Sequence, residues 1–311
     1  MLNRHFIRAK VLQSLYSFQF NDCNGVNEHN KKLLDSFNSL LDLHTYLFSS
    51  LIYIHSLALE RIEDNRRKLL PTDEDLNPNT KFVDNDFITL LLNDNELLKR
   101  NDALKINWNE NRDLFMNILK KFNNSNSYKT YMNSEKGDLE SEKNIYVQLF
   151  KNYLISNENY FDNVCEMKME WESDYDTMAL WSLKSLKEYE GRLEKLSDNF
   201  VDENFISNVF KRTIENDKEY TELINAKVHN WDVERVALMD ILIIKMGLSE
   251  LIYCPEIPIN VTLNEYVELS KEFSTPKSKL FVNGLLDKLM VELRAKGKIK
   301  KLEEETNETD L

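Results

Sequence analysis

The stretch from Ile259 to Leu293 limits the fold more than any other, because its apolar spacing reads as two helices and a corner. Thr262 followed three residues later by Glu265 forms a capping box, in which a hydroxyl and a carboxylate each satisfy an orphan backbone donor at a helix start. Leu263, Tyr266, Val267, Leu269 and Phe273 then recur at helical spacing. Thr275 and Pro276 restart the chain as N-cap and first residue of a second helix, along which Phe281, Leu285, Leu289 and Leu293 step by four. Gly284 sits in the middle of that second helix, where glycine costs about 1 kcal/mol relative to alanine, and this predicts a close backbone contact.

The same helical spacing runs through the rest of the chain, and composition agrees with it. Six glycines and five prolines in 311 residues leave few breakers, and 42% apolar content supports a sizeable core. The expected class is all-α. Asn3 can cap a first helix to about Phe20 with Ile7, Val11, Leu15 and Phe18 as its apolar stripe and Arg4 and Arg8 on another face. Asn24-Gly25 marks a turn, and a long helix follows over about residues 31–70, with Leu40, Leu43, Leu47, Leu51, Ile54 and Ala58 buried and Pro71 ending it. Residues 71–83 read as a linker, 84–122 as one or two helices with Trp108 as a core anchor, 123–142 as a mobile loop, and 143–156 and 158–195 as further helices. Asp202 can cap a helix through Ile206, Phe210 and Ile214 that continues to Tyr220 and Ile224, and the apolar run from Val236 to Leu248 marks a central, buried helix.

Several classes of function find no support. No run of 18 apolar residues and no apolar leader core is present, so a cytoplasmic protein that does not enter membranes is expected. Cys23, Cys165 and Cys254 are odd in number and far apart, which suits incidental thiols. His44 and His55 lie eleven apart on one helical face but lack a third metal ligand, and Glu166 and Glu170 have no Glu-x-x-His beside them. No phosphate-binding glycine loop, nucleophile elbow or zinc motif occurs, so neither a catalytic residue, a cofactor nor a metal is expected. Net charge is -13, unevenly spread: +3 over residues 1–20, -12 over 21–210, +1 over 211–302 and -5 over 303–311. The two ends can form a basic face if they meet.

Leu263-Asn264-Glu265, Val267-Glu268-Leu269, Lys271, Phe273, then Phe281-Val282-Asn283-Gly284 and Leu286-Asp287-Lys288 closely resemble the C-terminal signature of the NusB family of bacterial transcription antitermination factors. Gln13, Leu15 and Tyr16 resemble that family's first helix, although His5 and Phe6 stand where consecutive arginines are common. Trp231, Arg235, Asp240, Lys245, Glu250 and Leu251 match a third family stretch in type, while Ile241 and Ser249 depart from it. The resemblance implies a NusB-like antiparallel helical bundle made of an N-terminal helix (1–20) and a C-terminal core (198–295), interrupted by an acidic helical insertion (21–197) and followed by a charged tail (296–311).

The function implied by the resemblance is binding of boxA-type single-stranded RNA in nascent ribosomal RNA transcripts, together with ribosomal protein NusE. The complex would act on the RNA polymerase elongation complex with other Nus factors. Such a site asks for cations against phosphates and for aromatic or amide groups against unstacked bases. Arg4, His5, Arg8, Lys10 and Lys279 are the phosphate candidates, Phe281 and Asn283 the base candidates, and Tyr16 falls at a partner-protein position. From the residues alone Arg4, Arg8 and Lys10 read as a solvated helix face, and Phe281 can be read as a core aromatic. Some family members pair as homodimers. The competing reading is a helical scaffold whose acidic insertion binds polymerase or a ribosome-assembly factor.

Overall fold

The computed structural model describes residues 2–20, 25–191, 201–228 and 237–301, and every regular element among them is helical. Cys23, Asn24, Asp198, Trp231, Arg235, Val236 and most of the charged tail lie outside the described residues. The chain divides into two compact units, Met1–Phe37 with Asn199–Leu311, and Asn38–Asp198. The division falls inside one long helix.

The first unit holds helix α1 (Arg4–Phe20) and the beginning of α2 (Val26–Arg66). The Asn3 side chain accepts from the His5 backbone N–H at 2.9 Å, so the predicted cap starts α1, and Ile7, Val11 and Leu15 are buried on its inner stripe together with Leu12. In the second unit the predicted stripe of α2 from Leu40 to Ala58 is buried throughout.

The other helices of this unit are α3 (Asp73–Leu76), α4 (Asp86–Leu92), α5 (Asn95–Leu104), α6 (Arg112–Asn123), α7 (Asn126–Asn133), α8 (Leu139–Leu149), α9 (Glu158–Met167) and α10 (Tyr175–Glu188). Segments expected to be irregular are therefore partly helical. Thr72 and Asp75 cap α3 reciprocally, and Phe82 and Val83 of the supposed linker are buried. Within 123–142, Ser125 caps α7, and the Lys81 ammonium donates to the carbonyl of Tyr131 in its last turn and to those of Ser134 and Glu135 just beyond it. The helix expected over 158–195 is broken instead by a 3-10 turn, Met169–Asp174.

The core of this unit is aromatic. Trp108 is half-buried and not wholly the core anchor expected, stacking on Tyr46 and Tyr53 with ring centroids 5.3 and 5.0 Å away. Trp171 is buried, and its Nε1 donates to both the carbonyl and the hydroxyl of Ser39 at 3.0 Å. His44 lies wholly inside, 2.7 Å from the Ser182 hydroxyl, and burial, aided by the Arg100 charge, lowers its pKa to about 3. His55 instead contacts the Val83 carbonyl at 3.0 Å.

The first unit is completed by α11 (Glu203–Glu215), α12 (Asp217–Lys227), α13 (Leu238–Tyr253), α14 (Ile259–Phe273) and α15 (Ser278–Ala295). Asp202 caps α11 through the Phe205 N–H at 2.9 Å, as predicted. Asn216 ends that helix, so Tyr220 and Ile224 are buried from the separate α12. Helix α13 is the centre, packed by α1, α11, α12, α14 and α15. Its near-continuous apolar sequence has no solvent face to spare, and the chain is buried from Leu242 to Leu251.

Three readings of the corner need correction. Helix α14 begins at Ile259, a turn before Thr262, and Thr262 and Glu265 turn their side chains to other helices instead of forming a capping box. Helix α15 begins at Ser278, with Thr275-Pro276-Lys277 as the lead-in, and the Thr275 hydroxyl contacts Ser278 Oγ at 2.9 Å. The close contact expected at Gly284 is found at Gly247, where a Cβ would come 3.0 Å from Leu286 Cδ2 and 3.3 Å from Tyr266 Cδ2. A Cβ at Gly284 would meet nothing within 4 Å. Gly284→Ala is accordingly expected to raise the unfolding free energy by about 0.5–1 kcal/mol through helix propensity, read as a higher denaturant midpoint at unchanged slope. A loss of stability would reveal a neighbour that needs the bare backbone.

Candidate nucleic-acid interface

The structure divides the cations of α1 between interior and surface. Arg8 is 1% exposed, and its guanidinium forms a two-pronged pair with Glu250 of α13, Nε to Oε2 at 2.8 Å and Nη2 to Oε1 at 2.7 Å. Nη1 donates to Glu265 at 3.2 Å. Glu250 is fully buried and also accepts from the hydroxyls of Thr262 and Tyr266, both at 2.9 Å. Burial opposes the Arg8 charge, but the hydrogen bonds and charge of Glu250, with Tyr266 and Glu265 adding to them, outweigh it and raise the Arg8 pKa. Burial likewise drives the Tyr266 hydroxyl well above its ordinary range, so it stays a neutral donor.

This network ties α1, α13 and α14 into one charged but satisfied interior. Lys301 closes it from the C-terminal side, donating to the Glu250 and Cys254 carbonyls at 3.0 and 2.8 Å. Burial lowers the pKa of Lys301 and raises that of the Cys254 thiol to about 12, which leaves the thiol protonated and unreactive. The sequence matched Glu250 only in type. One signal for its role was legible: an acid inside an apolar helix must find a cation or lose its charge.

The other α1 candidates remain nearer the surface, among acids. Arg4 is partly exposed, 3.9 Å from Asp202 and 5.7 Å from the Phe205 ring centroid. His5 has Nδ1 3.0 Å from Glu265 and Nε2 3.1 Å from Glu272. Lys10 is half-buried, with Nζ 5.7 Å from the centroid of the Phe6 ring. Tyr16 is 40% exposed and tilts against the more exposed Phe20, with ring centroids 5.0 Å apart.

On α15, Lys279 and Asn283 are exposed and the Asn283 amide donates to Asp287 at 3.3 Å. Phe281 is buried with Leu285, Leu289 and Leu293, so the step-by-four stripe claims it for the core and a stacking surface is not offered to solvent. Ser278 beside Lys279 donates to the buried Asp240 at 2.8 Å, fixing the start of α15 against α13. The two candidate groups thus lie on different helices around α13: Arg4, His5, Arg8 and Lys10 on α1, which packs on α11, α13 and α14, and Lys279 and Asn283 on α15, which packs on α12, α13 and α14.

Of the two departures from the signature, Ser249 has a local explanation, and the matched Lys245 a fixed partner. Ser249 receives the Thr213 hydroxyl at 3.0 Å and donates to Tyr220 at 3.3 Å, so a tyrosine from α12 reaches the interior beside it. Lys245 is buried and held by Asp217. Among the described residues no group of three or more His, Cys, Asp or Glu is arranged to hold a metal, and no helix is long and apolar enough to cross a membrane.

The model of the NusB family matches residues 176–291. The chain is 33% identical over 97 residues to the transcription antitermination protein NusB of Salinibacter ruber, 31% of this chain and 61% of that protein. It is 35% identical over 95 residues to the same-named protein of Natranaerobius thermophilus, 30% of this chain and 68% of that protein, and 33% identical over 109 residues to that of Geotalea daltonii, 31% and 75%. No solved structure is a significant match to the chain.

Proposed function

Since this chain belongs to the NusB family, we propose that it acts in transcription antitermination in the cytoplasm, as a binding protein without catalysis, on boxA-type single-stranded RNA with ribosomal protein NusE. The observation that carries the reading is the similarity to proteins named for antitermination, which here includes the helical core from α11 to α15. The elongation complex with other Nus factors is the proposed place of action.

Arg4, Lys10 and Lys279 are the proposed phosphate contacts, because each keeps some side-chain exposure, and Asn283 is the proposed base contact. Arg8 and Phe281 support them from the interior. His5 is a weaker partner for an anion, since both of its ring nitrogens already face carboxylates. Tyr16 with Phe20 is the proposed contact for NusE.

The test is fluorescence anisotropy with a labelled boxA-type RNA at several salt concentrations, with and without NusE. Arg4→Ala combined with Lys279→Ala is expected to weaken binding about tenfold and to flatten the dependence of log K on log salt by about 0.7 for each phosphate no longer neutralised. NusE is expected to tighten RNA binding, and Tyr16→Ala to remove that gain. Unchanged affinity and slope would remove these cations from the site, and indifference to NusE would remove the shared complex.

A further inference from the structure

Helix α15 presents a stripe that the fold does not use. Leu280, Gly284, Asp287, Val291 and Arg294 follow at steps of four, three, four and three, which places them on one side of a helix. Leu280 is 73% and Val291 62% exposed. Between them Gly284 has open space where a Cβ would stand, and it is neither in a turn nor at positive φ. A mid-helix glycine is unfavourable, and no close contact among the described residues repays this one. Bare backbone flanked by two exposed aliphatics is the arrangement that lets a second helix approach closely, since helix separation is set by the side chains at the crossing.

Charge selects the partner. From Lys277 to Lys296 the chain carries five basic residues and two acids, in a protein of net charge -13. Both acids are already engaged, Glu292 by Lys227 and Lys296, and Asp287 by the Asn283 amide. Lys279, Lys288 and Arg294 are exposed around the stripe. We propose that this face of α15 docks an acidic amphipathic helix of a partner protein, its apolar ridge on Leu280, Gly284 and Val291 and its carboxylates toward Lys279, Lys288 and Arg294. A nucleic acid would use the cations but would leave both aliphatic side chains uncovered. Lys279 serves both readings, but Leu280, Gly284 and Val291 are not among the residues proposed for RNA, so substitutions at these three test the docking alone.

The full-length protein is titrated with a labelled 20-residue helical peptide carrying leucine and alanine on one face and glutamate on the other. A lysine-for-glutamate counterpart and a boxA-type RNA are run in parallel. The acidic peptide is expected to bind at least tenfold more tightly than the basic one. Gly284→Leu, and separately Leu280→Ser with Val291→Ser, are expected to weaken it about tenfold while leaving RNA affinity unchanged. Gly284→Leu adds a helix former in open space, so its melting temperature should not fall, and misfolding is thereby separated from failure to dock. Equal or absent binding of the two peptides would overturn the proposal, as would full retention by Gly284→Leu. A parallel fall in RNA affinity would assign the stripe to RNA and overturn it equally.

Discussion

Arg8→Ala is expected to cost about 3–5 kcal/mol of stability in the unit that contains α1 and α13, because it strands a fully buried carboxylate. The effect should be read by amide hydrogen exchange in α13, whose protection reports that unit directly. Glu250→Gln is expected to cost less than Arg8→Ala, since an amide oxygen can still accept from Thr262 or Tyr266 and the buried Arg8 cation keeps Glu265 at 3.2 Å as a counter-charge. The double substitution Arg8→Met with Glu250→Leu should recover part of the stability, but the two hydroxyls would then lack their acceptor. A cost below about 1 kcal/mol for Arg8→Ala would mean that the guanidinium is solvated, and the buried network would have to be abandoned. Any effect of Arg8→Ala on RNA binding should follow from impaired folding, with the salt dependence of the folded fraction unchanged.

Trp171→Ala should be comparably severe in the other unit, at about 3–5 kcal/mol, since it removes a large buried ring together with the Nε1 hydrogen bonds to Ser39. Its ring also lies near Tyr46 and under the Lys168 ammonium, 5.1 Å from the ring centroid. Trp171→Phe keeps most of the apolar volume and should cost distinctly less. Exchange protection in α2 between Leu40 and Ala58 is the readout. Equal effects of the alanine and phenylalanine variants would argue that ring volume is not what the site provides.

Local periodicity and capping made much of this fold legible. The Asn3 and Asp202 caps, the α1 stripe and the long stripe of α2 each depend on residues within a few positions, and the structure contains them all. The misreadings arise where a local pattern competes with a distant partner. Thr262 and Glu265 have the spacing of a capping box, yet Glu250 takes the hydroxyl of one and Arg8 and His5 take the carboxylate of the other. Arg8 shows the same limit. Helical spacing gives its face but not the acid it meets 242 residues later. Phe281 had two readings, and the stripe it shares with Leu285 and Leu289 settles its packing. Gly284 is unfavourable in mid-helix and so needs an explanation, but the close approach lies at Gly247.

The Arg8–Glu250 pair also has a consequence in time. A ribosome adding about 5–20 residues per second needs on the order of 10 to 50 s to travel from one partner to the other. Throughout that interval the first helix has been made and its counter-charge has not. Arg4, Arg8 and Lys10 then form a cationic segment with no interior to enter, open to chaperones and to any polyanion nearby. The unit that depends on Glu250 can close only when synthesis is well advanced, whereas Asn38–Asp198 has its whole sequence available earlier. A folding intermediate with that middle segment protected and α1 still exchanging freely is the expected signature.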